Sequence, residues 1–447
     1  MDNENENILR NIGGVSENNL KDKLICSDDS DMNINSIEHS PYIDTDSLAM
    51  KLTSYKNGFS VLSLNAQSLA AKFDSISILI SDLLANGYEF SVICIQETWI
   101  SKEKDTSLFC LPNYYFEHTP ARTSLHGGAA LYINKKYSYT ITDNFSTSET
   151  FDGILAEISG HNLLKPVTIM NIYKPPGSYT NVNIEAFITE ISPTLNKLSK
   201  TKSESIVLGD FNIDLLKISE RVVYQQYLDT FFSSGFVPRI TLPTRLSRRS
   251  GSLIDQIFHR NISTESKFDA GIIVSQISDH FPYFMCLDIC QQKHQNPKEI
   301  NVLTYNETAI QNFSSQLYNT NIQSKLEPDL CTNPNKNCQV ILNDVCSAHK
   351  SHFPVKTVKF SKYKHKKSNW ITSGIIRSIY NRDRLYRKLK STAFNSDAYV
   401  SIQTNLNTIN KILKVTMRLA KKKFYAKQFE NFKYDMKKTW QNIKKYP

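Results

Sequence analysis

Long apolar runs are missing from this chain of 447 residues. The longest, around residues 91–95 (SVICI), falls far short of the roughly 18 residues a membrane span requires. A basic n-region followed by an apolar stretch is also missing from the first residues, MDNENENILR, so no secretory signal is expected. Cysteine is sparse. Eight in the whole chain make no disulfide framework, so a reducing, intracellular setting is expected. No internal repeat is present. What remains is a composition of 40% hydrophobic, 11% aromatic and 21% charged residues, which is neither collagen-like nor wholly disordered. The length suits about three domains of about 150 residues, or one large α/β unit with appendages.

The net charge of +10 becomes informative when it is divided along the chain. Residues 1–57 hold 5 Lys/Arg against 11 Asp/Glu, residues 356–447 hold 24 against 4, and the middle holds 24 against 28. A basic C-terminal segment points to a polyanion partner, because clustered Lys and Arg release counterions from phosphates. A solvated basic helix surface explains the same composition.

Residues 1–57 are rich in Asn, Ser and Asp, with single scattered apolar residues. They bury too little surface to offset backbone ordering, which predicts a disordered acidic leader. From Phe59 the texture changes. Buried strands are expected at residues 59–65, 91–95, 129–133, 153–158, 167–173, 206–208, 253–259, 271–275 and 283–290. Helices are expected at 75–84, 183–198 and 224–233. Several strand pairs have no helix between them, so two mixed sheets back to back are favoured over one doubly wound sheet. Residues 58–290 suffice for one sizeable core. A linker with short helices (308–317 and 338–349) follows over 291–369. Residues 370–447 read as a long basic helical hairpin, with Ile375, Ile379, Leu385 and Leu389 on one face and Ile402, Leu406, Ile409, Leu413, Leu419 and Phe424 on another.

The chemistry-bearing residues lie at strand ends: Asn65, then Gln96-Glu97-Thr98, Asn171-Ile172-Tyr173, Gly209-Asp210-Phe211-Asn212, Leu253-Ile254-Asp255 and Ser278-Asp279-His280. A carboxylate or amide where a buried strand surfaces is held rigidly and can converge with its neighbours. Each alone is weak evidence, since an acidic residue after a strand is commonly a helix N-cap and a single histidine commonly belongs to the core. Six together are far more specific.

The motifs LNAQSL, IQETW, GGAALYI, NIYKPPG, LGDFN, PTR…GSLIDQIF and SDHFP together resemble the endonuclease/exonuclease/phosphatase superfamily. Within it they resemble the endonuclease domain of LINE-type, jockey-like non-LTR retrotransposons, over residues 59–290. The resemblance implies an α/β four-layer sandwich of two mixed β-sheets flanked by helices. It implies Glu97 as principal metal ligand helped by Asn65, and Asp210 as the group that positions and deprotonates the attacking water with Asn212 fixing its orientation. Tyr173 would touch the scissile phosphate, Asp255 would support the site, and Asp279 would orient His280 against the developing charge. These residue types suit phosphodiester hydrolysis. Charge grows on the non-bridging oxygens, so a hard divalent cation and hydrogen-bond donors must face them. Magnesium prefers carboxylate and amide oxygens, with manganese as the alternative. The water needs a base, and an aspartate beside His280 would fix its protonation.

The hairpin residues Thr244, Arg245, Arg248 and Arg249 match a region near the family's DNA-contacting hairpin, and a solvated turn fits them equally. His126-Gly127-Gly128 reads as backbone geometry before a strand. Cys338, Cys346, His349 and His352 have loose metal-like composition, but their spacing matches no zinc pattern, so burial is expected. Cys94 and Cys286 are expected in the core. In LINE elements a reverse transcriptase with a catalytic Asp-Asp follows the endonuclease. The only Asp-Asp here is Asp28-Asp29, in the leader, so the chain reads as a truncated copy, a fragment or a host gene. The expected activity is magnesium-dependent DNA nicking that leaves a 3′ hydroxyl, inside the nucleus, with no membrane partner and a reverse transcriptase supplied by another chain. The C-terminal segment would bind DNA or RNA, with Lys421-Lys422-Lys423 and the cluster from Arg382 to Lys390 touching phosphates. Alternatively its apolar stripes dock on the absent polymerase. Two further readings are a phosphodiesterase acting on abasic DNA, RNA tails or a phosphoinositide, and an idle remnant that binds nucleic acid.

Overall fold

The computed structural model describes residues 40–55, 58–122, 126–146, 148–177, 181–247, 250–262, 267–290, 299–303, 305–321, 324, 334–359, 370–394 and 396–432. The chain divides into two units, residues 1–292 with 366–447, and residues 293–365. In chain order the first unit begins with β1 (Tyr42–Asp44), α1 (Leu48–Leu52), β2 (Phe59–Asn65), α2 (Leu69–Ala85), β3 (Val92–Gln96), β4 (Tyr114–His118), β5 (Ala129–Asn134), β6 (Ser138–Asn144), β7 (Asp152–Ser159) and β8 (Val167–Tyr173). It continues with α3 (Asn181–Ser199), β9 (Glu204–Asp210), α4 (Val222–Ser233), β10 (Val237–Pro238), β11 (Arg245–Leu246), β12 (Gly251–Ser252), β13 (Asp255–Arg260), β14 (Phe268–Val274) and β15 (Tyr283–Leu287). The second unit holds β16 (Glu299–Leu303), α5 (Glu307–Asn319), α6 (Pro334–His352) and β17 (Val355–Lys359), after which α7 (Ser373–Ser391) and α8 (Asp397–Phe432) complete the first.

Two mixed sheets form the frame. One has the order β1-β14-β15-β2-β3-β5-β4, the other β10-β13-β9-β8-β7-β6. Central strands are buried on both faces, so they read as continuous apolar runs. In β2, Val61 faces the core between the sheets while Leu62 and Leu64 face α1 and α2, packing with Leu48, Leu69 and Ile76. On the far side α3 and α4 cover the second sheet through Phe187, Tyr227 and Phe231. The architecture is an α/β sandwich of two mixed sheets between helices.

Two edge strands of the sandwich show why a reading by apolar runs misses strands. β4 and β6 lie at sheet edges, and most of their residues are partly or fully exposed, so little burial marks them. The expected disordered leader falls mostly outside the described residues, but its last part is ordered. β1 pairs in parallel with β14, and Leu48 and Leu52 are fully buried.

The helical arm is built into the first unit. Trp370, Ile371, Ile375, Ile376 and Leu413 close a small core on Ile78 of α2, while Tyr386, Leu389, Ile402 and Leu406 join the main core. Most of its basic cluster is spent on this docking. Arg384 pairs with Asp46 at 3.1 Å, Arg387 with Asp44, and the Lys390 ammonium donates to the Leu246 carbonyl at 2.8 Å. Arg382 is buried and pairs with Asp383, whose carboxylate also accepts from the Gln276 backbone N–H at 3.1 Å. Within the cluster from Arg382 to Lys390, expected to touch phosphates, Arg382, Arg384, Arg387 and Lys390 are thus engaged by acidic groups or a carbonyl of this chain, while Lys388 is exposed. Most of the apolar stripes of α7 and α8 likewise pack on this chain, while Leu419 is exposed.

In the second unit β16 and β17 pair antiparallel, and His349 stacks among Tyr305, Phe313 and Phe353. Cys338 and Cys346 are exposed there, contrary to the burial expected of them, because α6 buries only Asn337 and Ala348. Cys94 and Cys286 are buried in β3 and β15.

Candidate active site

Strand pairing builds the site. Across the second sheet Asp152 lies opposite Tyr173, Tyr173 opposite Asp210, and Asp210 opposite Asp255. Four polar residues thus end neighbouring strands at one level. In the first sheet Asn65 lies opposite Gln96 at the ends of β2 and β3. The two rows meet at one side chain. The Asn65 Nδ2 donates to Glu97 Oε1 and to Asp210 Oδ2, both at 2.7 Å.

Backbone strain concentrates here. Gln67, Ser68, Glu97, Trp99 and Asn212 all adopt positive φ, between 45° and 88°, a conformation costing about 1–3 kcal/mol per non-glycine residue that persists only where surroundings enforce it. The loops after β2 and β3 enforce it by bonding to each other, Ser68 N–H to Glu97 O at 2.9 Å and Leu69 N–H to Thr98 O at 3.0 Å. Gly209, with φ of 144°, precedes Asp210, and a Cβ there would stand 1.8 Å from the Ile172 carbonyl oxygen. Only glycine lets β9 approach β8 this closely. Gly128 serves the neighbouring loop, with φ of +84° and its N–H donated to Asp152 Oδ2 at 2.9 Å.

Asp210 is nearly inaccessible, and burial first, then the nearby Asp255 charge, hold its carboxyl well above the usual carboxylate range against the pull of His280 and Asn65. Its Oδ1 accepts from the Asn212 N–H at 3.0 Å. Asn212 is itself fixed by donating Nδ2–H to the Lys174 carbonyl at 2.8 Å. Burial first, then the charges of Glu97 and Asp210, raise the Tyr173 phenol far above its ordinary value, so it stays protonated. Lys174 is also buried, and burial pushes its ammonium down to about 8 despite Asp210.

The histidine is held by a different aspartate from the one expected. His280 Nδ1 lies 2.9 Å from Asp255 Oδ2 and 3.1 Å from Oδ1, whereas Asp279 comes no closer than 4.0 Å, to Nε2. Burial opposes charge on the ring, but Asp255, with Asp210 and Asp279 behind it, outweighs burial and pushes His280 up to about 9. The two adjacent side chains find different partners, Asp255 for His280 and Arg245 for Asp279, so sequence neighbourhood misassigned the pair. Asp279 instead receives Arg245, at 3.1 Å from Nε and 2.8 Å from Nη2. Burial would raise its carboxyl, but His280 and Arg245 outweigh it and lower it.

One further expectation changes. Thr244 is fully buried and donates Oγ1–H to Asp255 Oδ2 at 2.6 Å, so it steadies the dyad and contacts no groove. Asn65 donates its nitrogen to both carboxylates while its Oδ1 accepts from the Gln67 N–H at 3.1 Å, so it bridges the two acids. Arg248 and Arg249 lie outside the described residues. Motif residues that had been given no role also contribute: Trp99 Nε1–H donates to Glu97 Oε2 at 3.2 Å, and Asn171 accepts from Gln96 beneath the site at 2.6 Å. The arm reaches this assembly as well. The Tyr386 ring meets the edge of Phe281, and the Phe281 N–H donates to the Thr244 carbonyl at 2.8 Å.

A divalent cation fits the residues present. Glu97, Asp210 and Asp255 are three buried carboxylates. Asp210, Asp255 and His280 bring ligand atoms within 4.8 Å of one another, forming among the described residues the one such cluster. Because Asp255 and His280 are engaged with each other, Glu97 and Asp210 are the oxygen donors left for a hard ion. Among the described residues no helix is long and apolar enough to cross a membrane.

Residues 61–280 match the Endonuclease/Exonuclease/phosphatase family. This part of the chain resembles that superfamily. No curated protein sequence matches the chain. Among solved structures the chain is similar to the endonuclease domain of TRAS1, a telomere-specific non-LTR retrotransposon (15% identity, TM-score 0.37, 52% of this chain and 100% of that one). It is similar to the Xenopus laevis APE2 catalytic domain (17% identity, TM-score 0.40, 53% and 94%). It is also similar to the 3′-5′ exonuclease NExo from Neisseria meningitidis (17% identity, TM-score 0.41, 52% and 100%).

Proposed function

We propose that the chain is a divalent-metal-dependent DNA endonuclease that hydrolyses one strand and leaves a 3′ hydroxyl. The observation that carries this reading is the convergence of a buried Asp255–His280 pair with the Asn65-bridged Glu97 and Asp210 at one edge of the sandwich. Magnesium, held by Glu97, would supply positive charge against the non-bridging phosphate oxygens. Asp210 takes a proton from the attacking water, and its raised pKa brings it toward the range in which a carboxylate is an effective base. Asn212 keeps that carboxylate in one orientation. Oxygen attacks phosphorus, the bond from phosphorus to the 3′ oxygen breaks, the leaving 3′ oxygen takes a proton from solvent, and the products are a 5′ phosphate and a 3′ hydroxyl. The protonated Tyr173 and the charged His280 donate hydrogen bonds to the phosphate as its charge grows, His280 from Nε2 because Asp255 holds Nδ1. The 3′ hydroxyl is the group a reverse transcriptase on another chain would extend, in the nucleus.

The test incubates the full chain with supercoiled plasmid and Mg²⁺, with and without EDTA, and then offers the nicks to a polymerase. Open circles that need the metal and prime extension are expected. Plasmid left supercoiled while abasic duplex or an inositol phosphate is hydrolysed would transfer the site to another ester.

A further inference from the structure

The charge of α8 is arranged more narrowly than its composition requires. Between Asp397 and Glu430 the helix has no acidic residue. Its inner face is set by contacts: Leu413 packs with Ile78 and Trp370, Asn410 donates to Gln276 Oε1 at 3.2 Å, and Lys421 pairs with Asp74 at 2.7 Å. Next to that face stand Lys411, Lys414, Arg418 and Lys422, spaced three, four and four residues apart, which puts them in one strip along the helix. All four are exposed, and none makes an ion pair among the described residues.

The strip adjoins the catalytic segment. Gln276, which receives Asn410, precedes Ser278-Asp279-His280 by two residues. Lys72 of α2 is half-buried between them, and Asp279, Arg382 and Lys414 all act on its ammonium. At 1.5 Å per residue the strip is about 16 Å long, about five base-pair rises of about 3.4 Å along a duplex axis. An acid-free strip with no internal partners complements a regular array of negative charge, and one that continues the mouth of the site complements the strand being cut.

We infer that Lys411, Lys414, Arg418 and Lys422 form a track for the phosphate backbone of duplex DNA flanking the scissile bond. The inference rests on the DNA reading above and adds where the duplex runs. The track supplies affinity without sequence information, as phosphate contacts do.

The test uses the full chain in EDTA, so that binding is read without cleavage. The variant K411Q/K414Q/R418Q is compared with K388Q/K423Q/K427Q, which removes three exposed charges elsewhere on the arm. Affinity for a duplex of random sequence is measured against salt. Each lost phosphate contact flattens the log–log slope by about 0.9, so the track variant should be shallower by about 2.7 and the control by less than about 1. Equal affinity and slope for the two variants would overturn the track, as would a loss seen on RNA duplex but not on DNA. With Mg²⁺ the track variant should nick at the wild-type rate when DNA is saturating. A wild-type chain that binds through the track yet nicks nothing would remove the proposed reaction and leave the track standing. Normal nicking with an unchanged salt slope would do the reverse.

Discussion

At the residue scale the central object is a chain of short contacts, Thr244 to Asp255 to His280. A hydrogen bond to a charged group contributes about 1.5–3 kcal/mol, so Thr244→Val should slow nicking by about tenfold to a hundredfold while leaving DNA affinity in place. An unchanged rate would show that Asp255 needs no such support. His280 also makes a prediction for the metal-free protein. Its folded pKa, about 9, exceeds its unfolded value of 6.5, so the folded state binds the extra proton. The stabilisation is fully present below about pH 6.5 and is lost as pH rises through about 9. At about 1.4 kcal/mol per pKa unit it amounts to about 3 kcal/mol. In EDTA, the unfolding free energies of wild type and His280→Gln should therefore converge between pH 6 and pH 10. A gap that stays constant would mean the pair is not charged.

At the element scale the arm is part of the sandwich because its charges and its apolar stripes both find partners there. Asp383 is the most exacting joint, bonded to Arg382, to the Gln276 N–H and to Thr45. Asp383→Ala would leave the Arg382 guanidinium buried without its counter-charge, a defect that costs about 3–5 kcal/mol. Urea unfolding of the full chain would show it, and a loss below about 1 kcal/mol would mean the joint is slack. Much of the element pattern was legible in the sequence, because double-sided burial makes β2, β3, β8 and β9 nearly continuous apolar runs. The exposed edge strands β4 and β6 were not, since little of their surface is buried. Docking of the arm was not legible either: periodicity shows that a helix has an apolar face, not which surface covers it. Among the candidate site residues, Glu97, Asp210 and His280 stood out at strand ends, where rigid backbone makes carboxylates useful. Which aspartate holds the histidine, and which way the Asn65 amide turns, depend on contacts 25 to 145 residues apart in sequence, beyond the reach of local spacing.

At the scale of the whole molecule, two sheets place one polar row each at a common edge, strained loops after β2 and β3 close that edge, and the arm buttresses it through Tyr386 and Phe281. The account's central claim is that this convergence is a hydrolytic centre with Asp210 as its base. Single-turnover nicking of saturating plasmid by wild type and Asp210→Asn in Mg²⁺, with DNA affinity measured alongside, tests it most directly. The account predicts a rate at least about a hundredfold lower for the variant, with affinity within about twofold because the phosphate contacts lie elsewhere. Nicking by Asp210→Asn at near the wild-type rate would contradict it.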